Sequence, residues 1–220
     1  MDARTVLLTL ELAAATTAVL LLLGLPIAHW LATTRSRWRF LVEALVAMPL
    51  VLPPTVLGFY VLLATGPDGW LGRLVASATG QRLPFTFAGI LIGSVLFNLP
   101  FAVRPFAAAL GSIEPRLLEA SATLGASRLW TFWRVALPLA WPGILAGMVL
   151  TFAHAVGEFG VVLMVGGNIP GVTRTLSIAI YDEVQALDYA AAGSTAAWLA
   201  VAAFAMLCVV QVVNRRSLVA

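Results

Sequence analysis

Five stretches of this 220-residue chain carry no formal charge: residues 12–34, 44–67, 83–103, 135–157 and 189–214. Each reaches the roughly 20 residues that an α-helix needs to cross about 30 Å of hydrocarbon. Inside a bilayer the backbone N–H and C=O groups must be satisfied within the segment, so these runs are read as membrane helices. The expected fold is all-α, with about five transmembrane helices in a single domain over residues 1–220. Composition agrees, with 61% hydrophobic and only 10% charged residues and a mean hydropathy of +0.98. The first run is too long for the apolar core of a cleavable signal peptide and has no convincing cleavage site before Arg35, so it counts as a span.

Thirteen arginines and no lysine supply the positive charge. An odd number of spans puts the termini on opposite sides. With the carboxyl end inside, Arg35, Arg37, Arg39, Arg104, Arg116, Arg128, Arg134, Arg215 and Arg216 are inner, while Arg4, Arg73, Arg82 and Arg174 are outer. Nine against four satisfies the positive-inside rule, which places the amino terminus outside and the carboxyl terminus in the cytoplasm. The pI of 9.8 follows from these inner arginines. It makes no case for nucleic-acid binding, which calls for a basic patch on a soluble module.

Between the third and fourth runs lies a polar, basic segment from Glu119 to Pro138, EASATLGASRLWTFWRVALP. Glu114 before Pro115 marks a helix start, because proline is favoured at the first helical position and an acid complements the positive end of the helix dipole. Gly125 supplies a left-handed stop. About ten residues between them make a rod of about 15 Å. Leu117, Leu118, Ser121 and Leu124 recur at helical spacing, giving an apolar stripe suited to a partner's groove. Each leucine buried there contributes about 1.5–3 kcal/mol. The alternative is a helix lying on lipid headgroups, which does not require a glycine break and a second helix. Glu119-Ala120, Gly125 and the terminal Leu137-Pro138, with Ser121 in place of a second alanine, resemble the cytoplasmic coupling loop of ABC importer permeases. The resemblance implies that the loop at about 112–138 docks on an ATPase subunit, through Glu119, Ala120 and Gly125, with Leu117, Leu118 and Leu124 as its packing stripe.

Prolines punctuate the apolar runs: Pro26, then Pro49, Pro53 and Pro54, then Pro100 after Asn98, then Pro138 and Pro142. Each kinks its helix and frees a carbonyl, which membranes tolerate where protein or a watery cavity satisfies it. That suits a moving pathway and equally suits the general abundance of proline in membrane helices. Ionisable groups at depth, the mark of a proton or ion relay, are almost missing. Glu43 and His29 are expected at the inner interface. His154 and Glu158 are four apart, on one helical face, but two ligands without a third favour helix-end hydrogen bonding, and no metal site is assigned. Cys208, the single cysteine, makes no intrachain disulfide and is expected to be buried as a small apolar residue. The outer connection Gly66 to Pro84 is short, and 166–188, the longest non-spanning outer stretch, is expected to fold as a short or re-entrant helix.

The segment Gly157-Glu158-Phe159-Gly160, followed by Gly167-Asn168-Ile169-Pro170-Gly171-Val172-Thr173-Arg174-Thr175, carries a strong turn. Proline fits its first central position and glycine the second, where φ is positive. Thr173, Arg174 and Thr175 are then expected at the outer surface, as a contact for an anion or for the acidic rim of a binding protein. Glu158 does not welcome a dianion, because like charges repel, and is expected to be paired, capping or turned from the path. With the coupling loop, these residues resemble the molybdate permease family and, less closely, the sulfate permeases. The resemblance covers residues 100 to 190 well and the first three runs by pattern. It implies the type I ABC importer permease fold: a homodimer in the cell membrane, two copies of a cytoplasmic ATPase subunit that bind the ATP, and an outer oxyanion-binding protein. The cargo implied is molybdate or a similar oxyanion such as tungstate, sulfate or thiosulfate, and the permease needs no cofactor of its own.

Other classes fit less well. A proton-coupled secondary transporter or a channel calls for intramembrane carboxylates or a filter-like sequence. A membrane enzyme calls for a nucleophile and base on facing helices, whereas His29 and His154 are expected near opposite faces. Without lysine the chain cannot form the glycine loop and Lys-Ser/Thr of a typical P-loop ATPase. It is expected to be a non-catalytic part of an ATP-hydrolysing complex. Five spans are few to enclose a path, which favours a twofold dimer.

Overall fold

The computed structural model describes the chain from Asp2 to Ser217, and its side chains as far as Cys208 and at Gln211. The side chains of Arg215 and Arg216, counted on the inner face above, lie outside the described residues. The elements are α1 (Ala3–Thr33), α2 (Arg39–Val51), α3 (Pro54–Thr65), α4 (Trp70–Thr79), α5 (Phe87–Gly111), α6 (Pro115–Thr123), α7 (Arg128–Thr131), α8 (Leu137–Val156), α9 (Gly160–Gly166), α10 (Leu176–Gln185) and α11 (Tyr189–Ser217). Asp2 caps α1 by accepting the Arg4 N–H at 3.1 Å, and Thr86 caps α5 by accepting the Gly89 N–H at 3.2 Å. Each cap satisfies a donor that the first turn leaves orphaned.

Among the described residues, four helical stretches are long and apolar enough to cross a bilayer: α1, α5, Arg128–Val156 and the part of α11 from Tyr189 to Cys208. The second charge-free run departs from the straight span its length suggested. It breaks after Val51, and the chain bends by 112° between α2 and α3. Pro53 and Pro54 cannot donate to carbonyls one turn back, and their rings clash with them. Counted as one broken span, the pair brings the total to five.

Leu137-Pro138 does not end the second helix of the loop. The helix runs through it, because a π turn over Phe132–Ala136 precedes the proline and the Leu137 N–H bonds to the Phe132 carbonyl. The wider turn accommodates a proline that offers nothing to the Arg134 carbonyl. Beyond Val156 the helix breaks at Gly157 to Phe159. Of the two short helices that follow, α10 lies within the stretch 166–188 expected to hold one, and α9 comes ahead of it.

The centre is formed by α1, α5 and α8, where Leu20, Leu31, Val103, Phe106 and Ile144 are buried together. A second cluster, Leu57, Val61, Val161 and Val165, joins α3 to α9. A Cβ on Gly160 would stand 2.7 Å from the Cβ of Pro54, so the α8–α9 break presses directly on the α2–α3 break. Close contacts across small residues matter here because lipid tails are as apolar as leucine and do not drive helices together. Cys208 is exposed rather than buried: the described part of α11 lies at the edge of the bundle, and only 11% of it is covered.

Candidate coupling surface and membrane network

Helix α6 starts where Glu114 and Pro115 predict, with Glu114 as N-cap and Pro115 in the first turn. It ends in a Schellman turn. The Gly125 N–H bonds to the Ala122 carbonyl at 3.0 Å and the Ala126 N–H to the Ser121 carbonyl at 3.2 Å, with Gly125 at φ +80°. The apolar stripe expected along α6 divides in two. Leu118 packs inward against the central cluster, and Ser121 is buried with its Oγ 2.8 Å from Thr131 Oγ1. These contacts hold α6 on its own bundle, so Leu118 belongs to the inward side of the helix rather than to its bare stripe. Leu117 and Leu124, at 46% and 88% exposure, remain uncovered, as do Glu119 and Ala120. Beside them lies a groove of ≈ 580 Å³ lined by Leu117, Ala120, Leu124, Gly125, Trp130 and Val135. Leu129 and Trp133 are exposed nearby. The groove and the bare side chains beside it are open to a partner.

The second constellation sits at the α8–α9 break. Glu158 is only 4% exposed. Its Oε2 accepts from Ser94 Oγ at 2.7 Å and from Asn98 Nδ2 at 2.9 Å. Ser94 Oγ in turn accepts from Thr16 Oγ1 at 3.0 Å. Asn98 Oδ1 lies 2.8 Å from His154 Nδ1. An amide oxygen only accepts, so the imidazole proton on this contact belongs to Nδ1. The His154 ring stacks on Phe101 with centroids 3.8 Å apart. One polar cluster therefore ties α1, α5, α8 and the break together, and Glu158 Oε1 has no partner among the described residues. His154 and Glu158 meet through Asn98 rather than along one helical face, because α8 stops at Val156. Glu158 is buried within the bundle, together with the partly buried His154, where the sequence led to the expectation of almost no ionisable groups. In the sequence Asn98 stands out only as a neighbour of Pro100, and Ser94 does not stand out at all. The available signal was two polar side chains four apart within a charge-free run, a spacing that places them on one face.

At the other end of the bundle Pro170-Gly171 forms the expected turn, with Gly171 at φ +72°. The residues beyond it are less accessible than expected. Thr173 and Thr175 are 0% and 2% exposed. Thr173 Oγ1 donates to the Gly166 carbonyl at 2.7 Å and accepts the Ile169 N–H at 2.9 Å, clasping the turn from within. Arg174 is partly exposed and held on two sides: its Nη2 is 3.3 Å from Asp182 Oδ2, and its Nε donates to Asn168 Oδ1 at 2.8 Å. A guanidinium beside a carboxylate has a weaker field to offer an incoming anion.

The family profile described as "Binding-protein-dependent transport system inner membrane component" matches residues 21–217. The chain belongs to this family. It is a multi-pass inner-membrane permease. The Molybdenum transport system permease protein ModB of Azotobacter vinelandii is 52% identical over 199 residues, covering 90% of this chain and 86% of that protein. The protein of the same name from Haemophilus influenzae is 37% identical over 169 residues, covering 75% and 74%. Among solved structures, a chain of a bacterial alginate ABC transporter, in complex with an alginate pentasaccharide-bound periplasmic protein, aligns with a TM-score of 0.76 at 20% identity, covering 97% of this chain and 78% of its own. At that identity the likeness speaks to fold, and the fold is that of the type I ABC importer permeases.

Proposed function

We propose that this chain is the permease subunit of an ATP-driven importer and carries molybdate across the inner membrane by alternating access. The observation that carries the reading is the bare α6 edge, Leu117 and Leu124 beside the Gly125 turn, in a chain 52% identical to a molybdenum transport permease. Two copies of a cytoplasmic ATPase subunit bind and hydrolyse the ATP, while the permease holds no cofactor and catalyses no step. A second copy of the chain completes the path, and an extracytoplasmic oxyanion-binding protein hands over the dianion. The amino terminus lies outside and the carboxyl terminus inside, so α6 faces the ATPase. The chain acts as one domain, with the loop at about 112–138 as its handle.

When ATP draws the ATPase halves together, the docked α6 rods follow. Glu119 and Ala120 lie on the docking edge, Gly125 shapes its end, and Leu118 with Ser121 transmits the pull to the bundle. The unbroken helix Arg128–Val156 then carries the movement toward the α8–α9 break. Nucleotide biases the inward-open and outward-open states only through its differential affinity for them. The identity to molybdenum permeases favours molybdate over sulfate or thiosulfate; tungstate, of like charge and shape, is the expected competitor.

Uptake of labelled molybdate into proteoliposomes holding the permease, ATPase and binding protein tests this reading. ATP-dependent uptake is expected. Uptake that ignores ATP and collapses with the proton gradient would replace the reading with a secondary transporter. On the outer side, Arg174 serves as a contact for the binding protein, and Thr173 clasps the turn that precedes it, with Thr175 buried just beyond. Arg174→Ala is expected to weaken binding-protein affinity at low salt, and unchanged affinity and uptake would remove that role.

A further inference from the structure

We propose that the cavity between α1, α2 and α5, at the end of the bundle that carries α6, binds one tetrahedral oxyanion group through Arg39 and Arg104. The cavity measures ≈ 700 Å³ and is lined by both arginines together with Glu43, Leu31, Val46 and Ser112. Its position follows from the chain: Ser112 borders it and α6 begins at Pro115. Arg39 Nε is occupied by Glu43 Oε1 at 2.8 Å, which leaves its two terminal nitrogens available. Arg104 makes no ion pair among the described residues, and its side-chain donors are unused there. A guanidinium fork matches two oxygens of a phosphate or similar oxyanion, so two forks from different helices can share one such group.

Two sources can present that group at this depth: the phosphodiester of an anionic phospholipid, or the cargo dianion as it leaves the path. Two guanidiniums and one carboxylate leave a single net positive charge in the cavity. That matches the one negative charge of a phosphodiester, whereas a dianion would keep one charge uncompensated. Leu31 and Val46 offer apolar wall to an acyl chain. Next to Arg39, the half-exposed Trp38 has the Arg37 guanidinium 5.0 Å from its ring centre, the aromatic and basic pairing typical of headgroup level. The lipid headgroup is the expected occupant. This inference does not depend on the cargo named above.

The test uses the full permease–ATPase complex in nanodiscs of phosphatidylcholine, with or without phosphatidylglycerol. Native mass spectrometry counts retained phosphatidylglycerol, and equilibrium dialysis with labelled molybdate in the phosphatidylcholine discs counts bound anion. Wild type is expected to retain phosphatidylglycerol and Arg104→Gln to retain at least about tenfold less, the scale of one lost charge-assisted bond. Glu43→Gln is expected to retain more, because it removes the competing carboxylate and adds net positive charge; a fall in that variant would overturn the proposal by tracing the effect to lost structure. Molybdate bound in the neutral discs and lost in Arg104→Gln would support the site with cargo as its source. Occupancy of both ligands equal within about twofold in wild type, Arg39→Gln and Arg104→Gln would overturn it. Wild-type molybdate uptake is measured separately, so failure here leaves the proposed function standing.

Discussion

Gly125 sits at φ +80° in the turn that ends α6. The proline ring fixes φ at about −65° and so cannot take that conformation, and proline would also remove the N–H that bonds to the Ala122 carbonyl. Gly125→Pro is therefore expected to insert normally and hydrolyse ATP without importing molybdate; normal ATP-driven uptake would refute its coupling role. Glu158 makes a different kind of contribution. Glu158→Ala would leave the Ser94 hydroxyl and the Asn98 amide without their acceptor, at about 1–3 kcal/mol for each buried orphan. The thermal unfolding midpoint of the purified complex is expected to fall clearly in Glu158→Ala and less in Glu158→Gln, whose amide oxygen can still accept both bonds. Equal losses in the two variants would show that hydrogen bonding is not what the carboxylate supplies.

The π turn over Phe132–Ala136 decides which way α6 and α7 face relative to α8. Deleting Val135 should close it toward an ordinary helix and rotate everything before it by about 100°. Leu124 and Trp130 would then turn away from the ATPase. Membrane insertion, read by protease protection, is expected to survive, while copurification with the ATPase subunit is expected to be lost. Unaltered copurification would mean that the surface tolerates rotation. The ends of α6 were legible in the sequence because capping is local: Glu114, Pro115 and Gly125 act on their own turn. The angle at Leu52 was not legible. Pro53 and Pro54 announce a break, but its 112° bend accompanies the packing of Gly160 on Pro54, more than a hundred residues further along the chain.

Topology belongs to the whole molecule and can be read with one cysteine. In a Cys208→Ser background, Leu124→Cys is expected to react with maleimide in the isolated permease, to be shielded once the ATPase binds, and to resist an impermeant reagent applied from the periplasmic side. Labelling from that side would reverse the proposed orientation. Membrane class, the two ends of α6 and the Pro170-Gly171 turn were set by the sequence alone, because each depends on hydropathy or backbone preference within a few consecutive residues. Only the tertiary structure decided that Leu118 faces inward while Leu117 faces out, that Arg174 leans on Asp182, and that Glu158 is held by Ser94 and Asn98, 64 and 60 residues away. Those outcomes rest on which helices lie side by side, and a periodic pattern along one helix does not name its neighbour.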